Sequence, residues 1–100
     1  MMTNQPKGYI LAEIEITDAE VYPRYAQHVA PLVEKYGGRY LVRGGNPQAI
    51  EGERDLKRVA LLEFPSIEQA KAFYYSPEYQ AVAQYRWVAA KSALFLLQGA

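Results

Sequence analysis

Apolar residues fall at every second position over residues 8–17, GYILAEIEIT, with Ile10, Ala12, Ile14 and Ile16 on one parity and Tyr9, Leu11, Glu13 and Glu15 on the other. Successive side chains of a strand point to opposite faces, so this segment reads as a strand with one wholly apolar face and one that begins apolar and ends acidic. The interval then changes. Val21, Tyr22, Tyr25, Val29, Leu32, Val33 and Tyr36 recur at helical spacing and form one apolar stripe. Thr17 or Asp18 is placed to cap this helix, Glu20 lies in its first turn, and Gly37 and Gly38 close it. Pro31 falls in its middle and predicts a kink or break near residues 29–30.

Residues 39–43 then form a short strand and residues 44–47 a turn. Ala49 and Ile50, set among polar residues, suggest a short strand extension or hairpin arm over 48–54. KRVALLEF, at 57–64, is a nearly continuous apolar strand, which predicts a central place in the sheet. Ser66 followed by Gln69 has the spacing of a capping box and opens a second helix. Ser76 and Pro77 interrupt that helix and start another, running to about residue 90, before a last strand at 91–98.

Strand, helix, strand, strand, helix, strand is the order of a ferredoxin-like βαββαβ sandwich, an α+β fold. Right-handed crossovers would place the helices on one face of a four-stranded antiparallel sheet, with the first and third strands central. The other face is left bare. Carrying Tyr9, Leu11 and Leu61, it is too apolar to remain in water, and a second copy of the chain is the expected cover. A homodimer follows as the expected assembly.

Composition narrows the function classes. The 100 residues, half of them apolar, suffice for a single domain spanning 1–100 with its own core. Eleven basic residues balance eleven acidic ones, so no net positive field draws nucleic acid or anionic lipid. Absence of cysteine removes thiol chemistry and suits a cytoplasmic protein. Residues 1–7 are polar and do not read as a secretory leader, and no apolar run is long enough for a membrane span. Nine of the thirteen aromatic residues are tyrosine, a side chain with an apolar body and a polar tip that suits cavities and interfaces.

Four groups of residues are candidates for chemistry. Arg39 and Arg43 lie four positions apart on one short strand, which would place both guanidinium groups on one face as a clamp for a carboxylate or phosphate; the competing reading gives them to salt bridges with Glu13, Glu15 or Glu63. His28, the only histidine, stands at the border of the helical stripe, where it would act as a general base or simply bond to water or backbone. Glu13 and Glu63, each near an end of an apolar strand, would share a site and raise one pKa if the central strands brought them together; otherwise each pairs with an arginine. Tyr22, Tyr25, Tyr36, Tyr40, Tyr74, Tyr75, Tyr79 and Tyr85 would hold an aromatic substrate or pack between helix and sheet. Trp87 reads as packing and Arg86 as surface. The glycine pairs spell neither a phosphate loop nor a dinucleotide fingerprint, and a lone histidine calls for no metal, so no cofactor is expected.

GYILAEIEITDAEVYPRYAQHVAP, KYGGRYLVRGG and VALLEFPSIEQAKAFYYSPEYQ together resemble the DUF1330 family, small bacterial proteins of no assigned activity, with YGGRYLVRGG and SPEYQ the most specific stretches. The resemblance implies a dimeric α+β barrel, a fold shared with small monooxygenases, isomerases and decarboxylating or haem-binding proteins. Its members supply no established catalytic residues to carry over. The expectation is a protein that binds or transforms a small, anionic or aromatic metabolite without a cofactor. Its cavity would lie between helices and sheet near His28, Tyr22, Arg43 and Glu63. The rival is a non-catalytic dimerising module.

Overall fold

The computed structural model describes residues 5–100; the polar start read above lies partly outside the described residues. The elements are β1 (Gly8–Ile16), α1 (Tyr22–Lys35), β2 (Arg39–Gly44), β3 (Arg58–Phe64), α2 (Ile67–Tyr74), α3 (Pro77–Ala89) and β4 (Ala90–Gln98). They build one antiparallel sheet in the order β2-β3-β1-β4, so the first and third strands are central as expected. Ile10, Ala12 and Ile14 of β1 and Leu62 and Phe64 of β3 are buried with Tyr25, Val29, Val33, Phe73, Tyr79 and Ala83 of the helices. All of these strand residues share one face. The α+β, ferredoxin-like arrangement with every helix on that face is thereby established, and among the described residues no helix or strand covers the other face.

Local chemistry accounts for most of the boundaries. Ser66 Oγ accepts the Gln69 N–H at 3.1 Å, which caps α2. The Gln69 side chain does not complete a capping box; it donates to the Tyr36 carbonyl at 2.8 Å and ties the start of α2 to the end of α1. Ser76 Oγ accepts the Tyr79 N–H at 3.0 Å, with Pro77 in the first turn of α3. Gly37 takes φ +81° and turns the chain out of α1 towards β2.

Three expectations are corrected. α1 runs through Pro31 without a break, because Val29 and Val33 on either side are buried in the core while Pro31 faces solvent, where the unpaired carbonyl it leaves can be hydrated. Asp18 caps a turn rather than the helix: its carboxylate accepts the N–H groups of Glu20 and Val21 at 3.0 and 3.2 Å, and α1 proper begins at Tyr22. Residues 48–54 form no strand. Their apolar side chains have nothing to pack against, Ile50 being 98% exposed, and Gly52 at φ +94° breaks the extended path.

Candidate functional site

β2 decides which arginines meet. Tyr40 pairs with Leu62 and Val42 with Leu61, leaving Leu41 as an extra residue in a β-bulge. A one-residue insertion reverses the parity of everything after it. Arg39 therefore sits opposite Glu63 on the bare face, whereas Arg43 sits opposite Ala60 on the helix-facing side. The expected Arg39 and Arg43 clamp on one face does not form. Arg39 instead donates through Nε to Glu63 at 2.9 Å, and Tyr9 OH donates to the same carboxylate at 2.9 Å. Those two hydrogen bonds, Tyr9 first and Arg39 next, hold the Glu63 carboxyl below the ordinary glutamate range.

A different pair of arginines does converge. Arg58 opens β3 opposite Ile14, on the helix-facing side, and lines the same recess as Arg43. Tyr22, Tyr25, Ala26 and Val29 of α1 cover the recess; Ile10, Ala12, Ala60 and Leu62 of the sheet floor it. Each guanidinium lies against a ring, Arg43 at 4.8 Å from the centroid of Tyr40 and Arg58 at 5.9 Å from that of Tyr22. Gly44, at φ +88°, makes this possible. A Cβ there would come within 3.0 Å of Arg58 Nη1, so the glycine both turns the chain and leaves room for the guanidinium.

The recess is polar at its rim and aromatic within. Its enclosed volume is about 30 Å³, near that of one water molecule in the liquid. Inside, the hydroxyls of Tyr25 and Tyr79 meet at 2.9 Å. Burial keeps the Tyr25 phenol neutral by raising its pKa far above the ordinary value, with the neighbouring Tyr79 adding to the effect. Burial also raises the pKa of Tyr40, against the opposing pull of Arg43 and Arg58. Among the described residues the ion pairs are Lys35–Glu78, Arg39–Glu63, Arg54–Glu13 and Lys57–Asp55. Arg43 and Arg58 appear in none of them.

The other candidates are dispersed. His28 is exposed; its Nδ1–H donates to the Arg24 carbonyl at 2.6 Å, its ring stacks on Tyr85, and it is not among the residues lining the recess. Glu13 and Glu63 both point to the bare face but stand opposite Val59 and Tyr9, at separate places along the sheet, so they do not form a pair. Glu13 is held by Arg54 instead. Of the tyrosines, Tyr22, Tyr25, Tyr40 and Tyr79 line the recess, while Tyr36 donates to Glu78 at 2.8 Å beside Lys35. Arg86, expected on the surface, is 3% exposed. Its place was legible, since Tyr79, Ala83, Arg86 and Ala89 form the buried stripe of α3. Arg58 carried the weaker signal of a charge beginning an apolar strand. Among the described residues no group of three or more His, Asp or Glu is placed to hold a metal, and no helix is long and apolar enough to cross a membrane.

Residues 7–100 match the family model DUF1330, a domain of unknown function. No curated protein matches the chain. Among solved structures, RPA0582 from Rhodopseudomonas palustris, a protein of unknown function, is 21% identical over 97% of this chain and 85% of its own, with a TM-score of 0.77. SnoaB from Streptomyces nogalater, a cofactor-independent oxygenase, is 12% identical over 95% of this chain and 94% of its own, with a TM-score of 0.62. A dimeric ferredoxin-like protein of unknown function from Thermobifida fusca is 8% identical over 98% and 95% of the two chains, with a TM-score of 0.55. At these identities the likeness is one of fold.

Proposed function

The chain belongs to the DUF1330 family, and we propose that this protein binds a small carboxylate with an aromatic body at the rim formed by Arg43 and Arg58. One observation carries the reading: two guanidinium groups without an acidic partner among the described residues converge on a tyrosine-walled recess between helices and sheet. Guanidinium binds carboxylate through paired, charge-assisted hydrogen bonds, and the tyrosine rings offer an apolar surface to the rest of the ligand. At about 30 Å³ the recess is too small for a ring as it stands, so a ring enters only when the lining, with the exposed Arg43 and half-buried Arg58 at its rim, gives way. Binding is then linked to a local opening of the rim. SnoaB is an oxygenase on a related fold. His28 and Glu63, the expected proton carriers, lie away from the recess, which leaves it a binding site without a proton shuttle from either.

Calorimetric titration with benzoate, and with benzyl alcohol as a neutral control, tests this. Benzoate should bind and the alcohol should not. Arg43→Ala and Arg58→Ala should each weaken benzoate about tenfold, the loss of one charge-assisted hydrogen bond. Equal response to acid and alcohol, or no heat at millimolar benzoate, would overturn the proposal.

A separate observation supports a homodimer. The bare sheet face brings together Tyr9, Leu11, Leu61, Phe95 and Leu97, with Phe95 47% and Leu97 43% exposed, and the Thermobifida neighbour of the same fold is described as dimeric.

A further inference from the structure

Arg86 presents an electrostatic problem that this chain does not solve by itself. The side chain is 3% exposed, its Nη1 donates to Ser92 Oγ, its Nη2 donates to Tyr79 OH at 3.3 Å, and its guanidinium lies 5.6 Å from the Tyr25 ring. Nε has no partner among the described residues. All the groups it meets are neutral. A guanidinium has five N–H donors and a permanent charge, and burying it without an anion costs several kcal/mol in general terms.

The residue nevertheless borders open space. It lines a cleft of about 370 Å³ between the end of α3 and the outer strand β4, together with Tyr74, Trp87, Ser92 and Leu94. Tyr74 and Leu94 also line an adjoining hollow of about 220 Å³ that continues along β4 past Leu96 and Lys71. The walls combine Tyr74, Trp87, Leu94 and Leu96 with the polar Ser92 and the cationic Lys71, and neither cavity is lined by an acidic residue. This is room enough for a small organic acid.

We propose that Arg86 anchors a second anion site, which takes a small carboxylate with an aliphatic tail. The carboxylate meets Nη1, where the Ser92 hydroxyl now stands, and supplies the missing negative charge. The tail lies along Leu94 and Leu96 beneath Tyr74. The site borders the Arg43 and Arg58 recess through Leu94, Tyr25 and Tyr79 but has its own cation, since neither Arg43 nor Arg58 lines the cleft.

Trp87 is the only tryptophan in the chain and lines this cleft, so its fluorescence reports the site selectively. Hexanoate should change Trp87 emission saturably, hexanol should not, and the response should survive in the Arg43→Ala/Arg58→Ala double variant. Truncating a buried arginine risks the fold, so the decisive variant is Ser92→Asp, which offers Arg86 a built-in carboxylate from an exposed strand position. It should abolish the hexanoate response and raise the melting temperature. Three results would overturn the proposal: no emission change with tens of millimolar hexanoate, a response unaltered by Ser92→Asp, or an emission change that follows protein concentration instead of hexanoate. The last would mean that a second copy of the chain covers the cleft.

Discussion

Glu63 shows how a residue's surroundings assign it a role that its position in the sequence leaves open. At the end of an apolar strand it had the placing of a carboxyl with a raised pKa, yet hydrogen bonds from Tyr9 and Arg39 lower it. A carboxyl whose folded-state pKa lies below its unfolded value stabilises the fold above the unfolded pKa, about 4.3 for glutamate, and loses that contribution as pH falls through the lower folded value. Glu63→Gln should therefore reduce stability at neutral pH and flatten its decline on acidification. Urea unfolding at pH 7 and pH 3 checks this: the two proteins should differ more at pH 7. A constant difference would remove the carboxylate from the account. Arg86 teaches the opposite lesson. Its burial follows from the period of α3, but a charged residue on a buried stripe is readily discounted because an unpaired buried charge is costly.

Elements were legible where one physical cue dominated. The alternating pattern of β1 and the Ser-Pro start of α3 correspond closely to the structure. The break expected at Pro31 does not occur, because the neighbouring Val29 and Val33 hold the helix in place through the core. The missing N–H and the ring's crowding of the preceding turn should still be felt. Replacing Pro31 with alanine, at an exposed position, should stabilise the protein by about 1–3 kcal/mol. The check is a higher urea midpoint at an unchanged m-value; a lower midpoint would mean that proline's restriction of the unfolded chain outweighs its cost in the helix. The bulge at Leu41 left no such cue. RYLVR reads as regular alternation, and only the pairing with β3 reveals that the two arginines part to opposite faces. Arg58 comes to line the same recess as Arg43 through sheet register, which spacing within β2 cannot convey.

At the scale of the molecule, the two faces of the sheet divide the work. The helix-facing side holds the core and the recess, and the bare side carries an apolar centre of Leu11, Leu61 and Phe95 with Glu13, Arg39 and Glu63 around it. An apolar centre with a charged surround is the layout of an interface, where the centre drives association and the rim sets orientation. A stable pairing buries about 800 Å² on each partner. Aspartate placed at both Leu61 and Phe95 would set like charges against each other across a twofold axis without disturbing the helix-facing core. Sedimentation should show a dimer for the unaltered protein and a monomer of retained far-ultraviolet dichroism for the Leu61→Asp/Phe95→Asp variant. A monomer in both would leave the bare face without its proposed cover. Because the Arg43 and Arg58 rim opens on the other side of the sheet, the monomeric variant should still bind benzoate. Joint loss of dimer and binding would instead show that the recess depends on the partner copy.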